Sequence, residues 1–228
     1  MTTPTVFIVD DDPSMRKSLR WLAESVGLRV ETFGTAEEFL TAFDPQRPGC
    51  LVLDMRMPGM SGLDLQAELL KRGSTLPVVI VTGHGEVQSA VRAMKSGALA
   101  FIEKPFSDQE LLDTVRHAIE VDADARTAAL VSREVEQRFQ RLTPRERQVM
   151  HLIAAGRANK QIANELKISQ KTVEVHRAHV MRKLEAASIA ELVRIALALE
   201  SQPATLKLPP AEAAGFASRA GAAPSAAL

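Results

Sequence analysis

Five short apolar runs rich in β-branched residues, "TVFIVD" (5–10), "LRVETF" (28–33), "CLVLD" (50–54), "PVVIVT" (77–82) and "AFIEK" (100–104), alternate with amphipathic stretches at 13–26, 35–43, 62–71, 86–95 and 107–121. Strand and helix in strict alternation predict a parallel sheet whose crossover helices cover both faces. The runs that begin at 5, 50 and 77 are apolar almost throughout, as strands buried on both faces should be. In an open sheet of this kind ligands bind outside the carboxyl ends of the strands, where the strand order reverses. The residues that close each run are therefore the first place to look for chemistry.

Those residues are unusual. Asp10 and Asp11 close the first run, Asp54 the third, Thr82 the fourth and Lys104 the fifth. With strand order 2-1-3-4-5, strands 1 and 3 are neighbours and these side chains converge on one rim. Carboxylates brought close together need a counter-charge, and a hard divalent cation, Mg²⁺ (or Mn²⁺), supplies one while keeping some waters. Asp54 sits in "LDMRMPGMSG", where Pro58 and Gly62 fix a turn that exposes its carboxylate. A carboxylate is a competent nucleophile toward phosphorus. The charge that develops on a transferring phosphoryl group calls for a metal, a lysine and a hydroxyl, and Lys104 and Thr82 provide the last two. Taken singly, each residue has a plainer reading: Asp12 before Pro13 as a helix cap, Thr82 as a turn residue, Lys104 as a surface lysine.

"FIVDDD", "LVLDMRMPGMSG", "VIVTGHG" and "FIEKPF", at these separations over roughly residues 4–122, resemble the receiver domain of bacterial response regulators. The resemblance implies a flavodoxin-like fold and phosphorylation of Asp54 by a histidine kinase. It implies Mg²⁺ ligation by Asp11, Asp54 and the main-chain carbonyl of Arg56, with Asp10 acting through water, and a cis bond between Lys104 and Pro105. Asp12 stands where related proteins often have Glu and receives no metal role. It further implies that Thr82 turns its hydroxyl to the phosphoryl group, opening space for Phe101, and that the surface that changes is the helix at 86–95 and the strand after it, with Val91 and Lys95 pointing outward as a dimer interface. A second reading uses the same residues: haloacid-dehalogenase-type phosphatases also form an aspartyl phosphate, with Asp-x-Asp after the first strand. Asp10, Asp12, Thr82 and Lys104 suit that pattern, but it leaves Asp54 and its turn unexplained.

Past residue 122 the strand signals stop. Residues 123–141 contain no Gly or Pro and place apolar residues at helical spacing, which predicts a helical linker. Four helices follow, at 144–155, 159–166, 170–184 and 188–199. Thr143, Pro144 and Glu146 open the first with a capping box. A short helix, the turn "KISQ" and a longer basic helix form a helix-turn-helix. In the long helix Val173, Val180 and Leu184 share the core stripe, while Glu174, Val175, Arg177, Ala178 and His179 lie off it; His176 falls between and suits a hydrogen-bonded structural role as well as a DNA contact. These residues look like the DNA-binding domain of NarL/LuxR-type regulators, and the whole chain from about 4 to 200 resembles FixJ-type regulators. By position Glu174, Val175 and Ala178 face bases, and Lys160, Thr172, Arg177 and Lys183 hold phosphates. Relatives often carry Lys at 174 and 178. Glu accepts from the cytosine amino group and Ala packs on a thymine methyl, so the site read differs. A helical bundle that binds protein, as in a phospho-switched adaptor, is the bland alternative.

Charge separates the halves. Residues 1–122 hold 12 Lys plus Arg against 18 Asp plus Glu, and residues 123–200 hold 14 against 9. The basic half suits a polyanion such as promoter DNA. Residues 201–228, dominated by Ala, Pro, Gly and Ser, are expected to be a disordered tail. One cysteine, Cys50, excludes an internal disulfide and reads as a small buried apolar residue. With no 18-residue apolar stretch and no signal-peptide pattern at the N-terminus, the expectation is a cytoplasmic protein. The sequence thus predicts a receiver at 1–122, a linker at 123–141 and a DNA-binding domain at 142–200. Together they make a transcription factor that is not a dedicated enzyme, dimerises on phosphorylation and engages RNA polymerase.

Overall fold

The computed structural model describes residues 3–83 and 87–200; the expected tail at 201–228 lies outside them. Strands β1 (Thr5–Val9), β2 (Arg29–Phe33), β3 (Gly49–Asp54), β4 (Val78–Thr82) and β5 (Ala100–Glu103) pair in parallel in the order β2-β1-β3-β4-β5. Helices α1 (Pro13–Ser25), α2 (Ala36–Ala42), α3 (Gly62–Lys71), α4 (Val87–Lys95) and α5 (Asp108–Gln140) follow the strands in turn. This is the parallel sheet the alternation predicts, in the flavodoxin-like order the receiver resemblance implies. β1, β3 and β4 are buried along their whole length, and β2 and β5 form the partly exposed edges.

Two-residue alternation sends side chains to two cores. Phe7, Val9, Leu51, Leu53, Val78 and Ile80 pack on Phe39 of α2 and Leu65 and Leu69 of α3. Val6, Ile8, Cys50, Val52, Val79 and Val81 pack on Leu19 of α1 and on Leu111 and Val115 of α5. Burial, with the nearby Asp122 carboxylate adding to it, pushes the Cys50 thiol up to about 12, so it is an inert apolar filler. Asp12 caps α1, its side chain accepting from Ser14 N at 2.8 Å. Gly49 starts β3 with φ +149°, and a Cβ there would lie 1.8 Å from the Thr5 carbonyl oxygen, so only glycine lets β3 enter beside β1.

α5 departs from the expectation. A helix ending at 121 and a separate linker helix from 123 are one element of 33 residues. No Gly or Pro interrupts it, and buried Asp122 accepts from Gly49 N (2.8 Å) and from Arg126 Nε (2.7 Å), fastening the helix at the junction of the two segments. Arg126 also donates to the carbonyls of Pro45, Gln46 and Arg47. The chain divides into two compact units between Val131 and Ser132.

The second unit contains α6 (Pro144–Ala154), α7 (Asn159–Leu166), α8 (Gln170–Leu184) and α9 (Ile189–Glu200) around Phe139, Leu142, Val149, Met150, Ile162, Val173, Val180, Leu184 and Leu192. The predicted capping box at Thr143 and Glu146 is present. α7 ends at Lys167 in the left-handed region (φ 53°), and Ser169 caps α8 by accepting from Thr172 N at 3.0 Å. Short helix, tight turn and longer basic helix thus form a helix-turn-helix.

Candidate functional site

The register that sets Val9 opposite Leu53 brings the next residues, Asp10 and Asp54, to adjacent strand ends. Lys104, just past β5, reaches across the rim. Its Nζ lies 3.1 Å from Asp10 Oδ2 and 2.9 Å from Asp54 Oδ1. The remaining oxygens are also held: Asp10 Oδ1 accepts from Asp12 N at 2.8 Å and Asp54 Oδ2 from Arg56 N at 2.7 Å. Asp10 is 2% exposed and Asp54 9%, so water does little to stabilise either charge. Burial pushes the Asp10 carboxyl above the ordinary range, against the opposing pull of its Lys104 and Asp12 hydrogen bonds. Burial works against the Lys104 charge too, but the hydrogen bonds to Asp54 and Asp10 outweigh it and hold the ammonium above its usual value. The turn after Asp54 needs a glycine: Gly62 N donates to Met55 O at 3.0 Å, and a Cβ on Gly62 would lie 2.2 Å from the Asp54 carbonyl oxygen.

Thr82 ends β4, buried, and its carbonyl accepts from Lys104 N at 2.7 Å; the Lys104–Pro105 bond is cis. Asp11 is exposed. Among the described residues no three His, Cys, Asp or Glu side chains gather as a metal site, and the counter-charge shared by Asp10 and Asp54 is the Lys104 ammonium. The donor set still fits a hard divalent cation. All of its donors are oxygens, and two carboxylates sharing one ammonium leave an excess negative charge at the rim. Phe101 lies opposite Ile80 in the β4–β5 register and packs on the first core while half-buried. On α4, Val91 is 46% exposed and Lys95 is exposed.

In the second unit Glu174, Val175 and Ala178 are exposed on α8, as are Thr172 and, on α7, Lys160; Arg177 is half-buried. Lys183 is not an open cation. Its Nζ lies 2.6 Å from Glu146 Oε2 and 3.2 Å from the Arg141 carbonyl. Glu146, buried, also accepts from Thr143 N at 2.7 Å and has His179 Nδ1 3.6 Å from its other oxygen. Burial opposes its charge, but the hydrogen bonds from Lys183 and Thr143 outweigh it and hold the carboxyl below the ordinary range. The sequence marks Glu146 only as a helix cap; nothing in local spacing signals a partner 37 residues away. His176 Nδ1 is buried with no hydrogen-bond partner, so that nitrogen lacks the bond a structural histidine was expected to make.

Comparison with known proteins accounts for both units. Residues 6–116 match the response regulator receiver domain and residues 140–196 the luxR family of bacterial regulatory proteins. The chain is 48% identical over 194 residues to nodulation protein W of Bradyrhizobium diazoefficiens, covering 85% of this chain and 86% of that one. It is 47% identical over 199 residues to the transcriptional regulatory protein FixJ of Azorhizobium caulinodans, covering 87% and 94%. Among solved structures it resembles the response regulator StyR (TM-score 0.76, 48% identity, covering 86% of this chain and 99% of that chain). It also resembles full-length FixJ from B. japonicum (TM-score 0.54, 43% identity, 87% and 98%). With a receiver match over one unit, a luxR-family match over the other and relatives at this identity along most of the chain, the protein belongs to the FixJ-type response regulators, transcription factors that join a receiver to a luxR-family DNA-binding domain.

Proposed function

We propose that Asp54 is the phospho-acceptor of a two-component system, and that phosphorylation by a histidine kinase promotes receiver dimerisation and promoter binding. The observation that carries this reading is the Lys104 ammonium bridging Asp10 and Asp54, a cation set against the carboxylate that ends β3 beside the tight turn through Gly62. In the transfer an Asp54 oxygen forms the new P–O bond as the P–N bond to the kinase's imidazole breaks. The electron pair leaves on that nitrogen, which takes up a proton. The Lys104 ammonium and the Thr82 hydroxyl donate to the equatorial oxygens where charge develops. Asp11, Asp54 and the Arg56 carbonyl, with Asp10 through water, would hold Mg²⁺ (or Mn²⁺), which supplies charge neutralisation at the transferring group. A cavity of about 870 Å³ bordered by Lys104, Met15, Leu22, Phe106 and the exposed Trp21 offers the kinase an apolar place to dock.

Downstream, Thr82 turns to the phosphoryl group, Phe101 moves into the space, and the face with Val91 and Lys95 pairs two receivers. In α8, Glu174, Val175 and Ala178 meet base edges, while Lys160, Thr172 and Arg177 contact phosphates. Lys183 belongs to the expected phosphate set, but its contacts with Glu146 and Arg141 argue for a strut instead. In this reading residues 1–122, 123–141 and 142–200 are receiver, linker and reader of a cytoplasmic regulator that meets RNA polymerase at promoters and is the kinase's substrate, not a dedicated enzyme. Neither the phosphatase nor the adaptor reading explains a receiver match together with a luxR-family match.

The test is chemical. With Mg²⁺ and acetyl phosphate the protein gains one acid-stable, hydroxylamine-labile phosphate, and Asp54→Asn gains none. Phosphate on Ser or Thr, or covalent phosphate that survives Asp54→Asn, contradicts the assignment.

A further inference from the structure

Gln66 is a polar residue in an apolar place. It is 1% exposed and is one of the buried residues of α3, with Gly62, Leu65 and Leu69. Its Nε2 donates to two main-chain carbonyls at the far end of α4, Ser96 O at 2.8 Å and Ala93 O at 3.2 Å. Two carbonyl partners fix which end of the amide is nitrogen, and they leave Oε1 buried with no partner. A buried acceptor left unpaired destabilises the arrangement that leaves it so. A leucine of similar size would avoid that cost, so the amide needs a reason.

The position of α3 gives one. Its first residue is Gly62, whose amide donates to Met55 O and whose Cα sits so close to the Asp54 carbonyl that a Cβ would overlap it. The amino end of α3 is therefore fastened to the main chain of Asp54. One turn further on, Gln66 fastens the same helix to the last turn of α4, where Ser96 N, Gly97 N and Ala98 N return to Arg92, Met94 and Ala93 carbonyls. α4 carries exposed Val91, Met94 and Lys95. The links run unbroken from the Asp54 main chain through α3 to the outer face of α4, on a different route from Thr82 and Phe101.

We propose that Gln66 is a positioning residue that couples the state of Asp54 to the α4 face by tying α3 to the carboxyl end of α4. The proposal rests on the reading of Asp54 as phospho-acceptor and of α4 as the receiver's pairing surface. The pair of bonds from Nε2 holds one position of the carboxyl end of α4 relative to α3. Coupling between sites is carried by elements that have two arrangements, and its size is set by how differently each arrangement treats the ligand.

Gln66→Leu removes the amide at similar volume, and Gln66→Asn keeps it one methylene too short to reach. Both variants of the full chain are measured for acetyl-phosphate labelling of Asp54, for dimerisation by sedimentation with and without phosphorylation, and for amide exchange at 96–98. Labelling is expected to stay at the wild-type rate and exchange at 96–98 to rise. The phosphorylation-dependent gain in dimerisation should fall by about tenfold, within the usual coupling range. A cooperative thermal melt for either variant is enough to show that it folds. Wild-type coupling and wild-type exchange in a folded variant overturn the proposal and leave the functional reading intact. A wild-type protein that takes phosphate at Asp54 without dimerising overturns both.

Discussion

Taking Asp10 out of water costs more than its hydrogen bonds to Lys104 and the Asp12 amide return, and the neighbouring Asp54 charge adds a little to that cost. Because burial raises the Asp10 carboxyl above its ordinary value of 3.8, the stability tied to its protonated form is full below that value and is lost as pH rises through the folded value. Asp10→Asn should therefore stabilise the receiver by about 1 kcal/mol at neutral pH, with the gain vanishing in acid, as read by urea unfolding. Glu146 has the opposite sign. Its carboxyl is held below the ordinary 4.5, so its contribution is full above that value and is lost as pH falls through the folded one. Glu146→Gln should cost about 2 kcal/mol at neutral pH and nothing in acid, read by amide exchange in α6 and α8 of the intact protein. The rim residues were legible because a strand's last residue is visible in sequence; Asp10, Asp54, Thr82 and Lys104 each end an apolar run. Glu146 with Lys183, and Gln66 with Ala93 and Ser96, were not, because only packing brings those helices together.

Among the elements, α8 shows what spacing can and cannot say. Its core stripe of Val173, Val180 and Leu184 follows from helical period, and all three are buried. Which of its off-stripe cations stay open to DNA does not follow from period, and Lys183 is taken up by Glu146. Neutralising Lys160 by alanine should lower the slope of log affinity against log salt by about one, since one phosphate contact is lost. Lys183→Ala should leave that slope unchanged and lower the melting temperature; a reduced slope would return Lys183 to the phosphate set. In α5 both segments, 107–121 and 123–141, were read as helical, and they join into one helix because the chain from 108 to 140 has neither Gly nor Pro to interrupt it.

For the molecule as a whole, the uneven charge of the two halves already hinted at two tasks, and the receiver and luxR-family matches assign them. One helix-turn-helix reads a half-site, and a two-fold pair reads inverted half-sites roughly 34 Å or a multiple apart. Phosphate on Asp54 should therefore act on DNA binding through the protein's own pairing. The direct measurement is fluorescence anisotropy on a DNA duplex selected from a random pool by the phosphorylated protein, comparing wild type and Asp54→Asn with and without acetyl phosphate and Mg²⁺. The account predicts that phosphorylation tightens wild-type binding and makes it steeper in protein concentration, while Asp54→Asn does not respond. Equal binding by wild type in both states, or an equal response from Asp54→Asn, would contradict it.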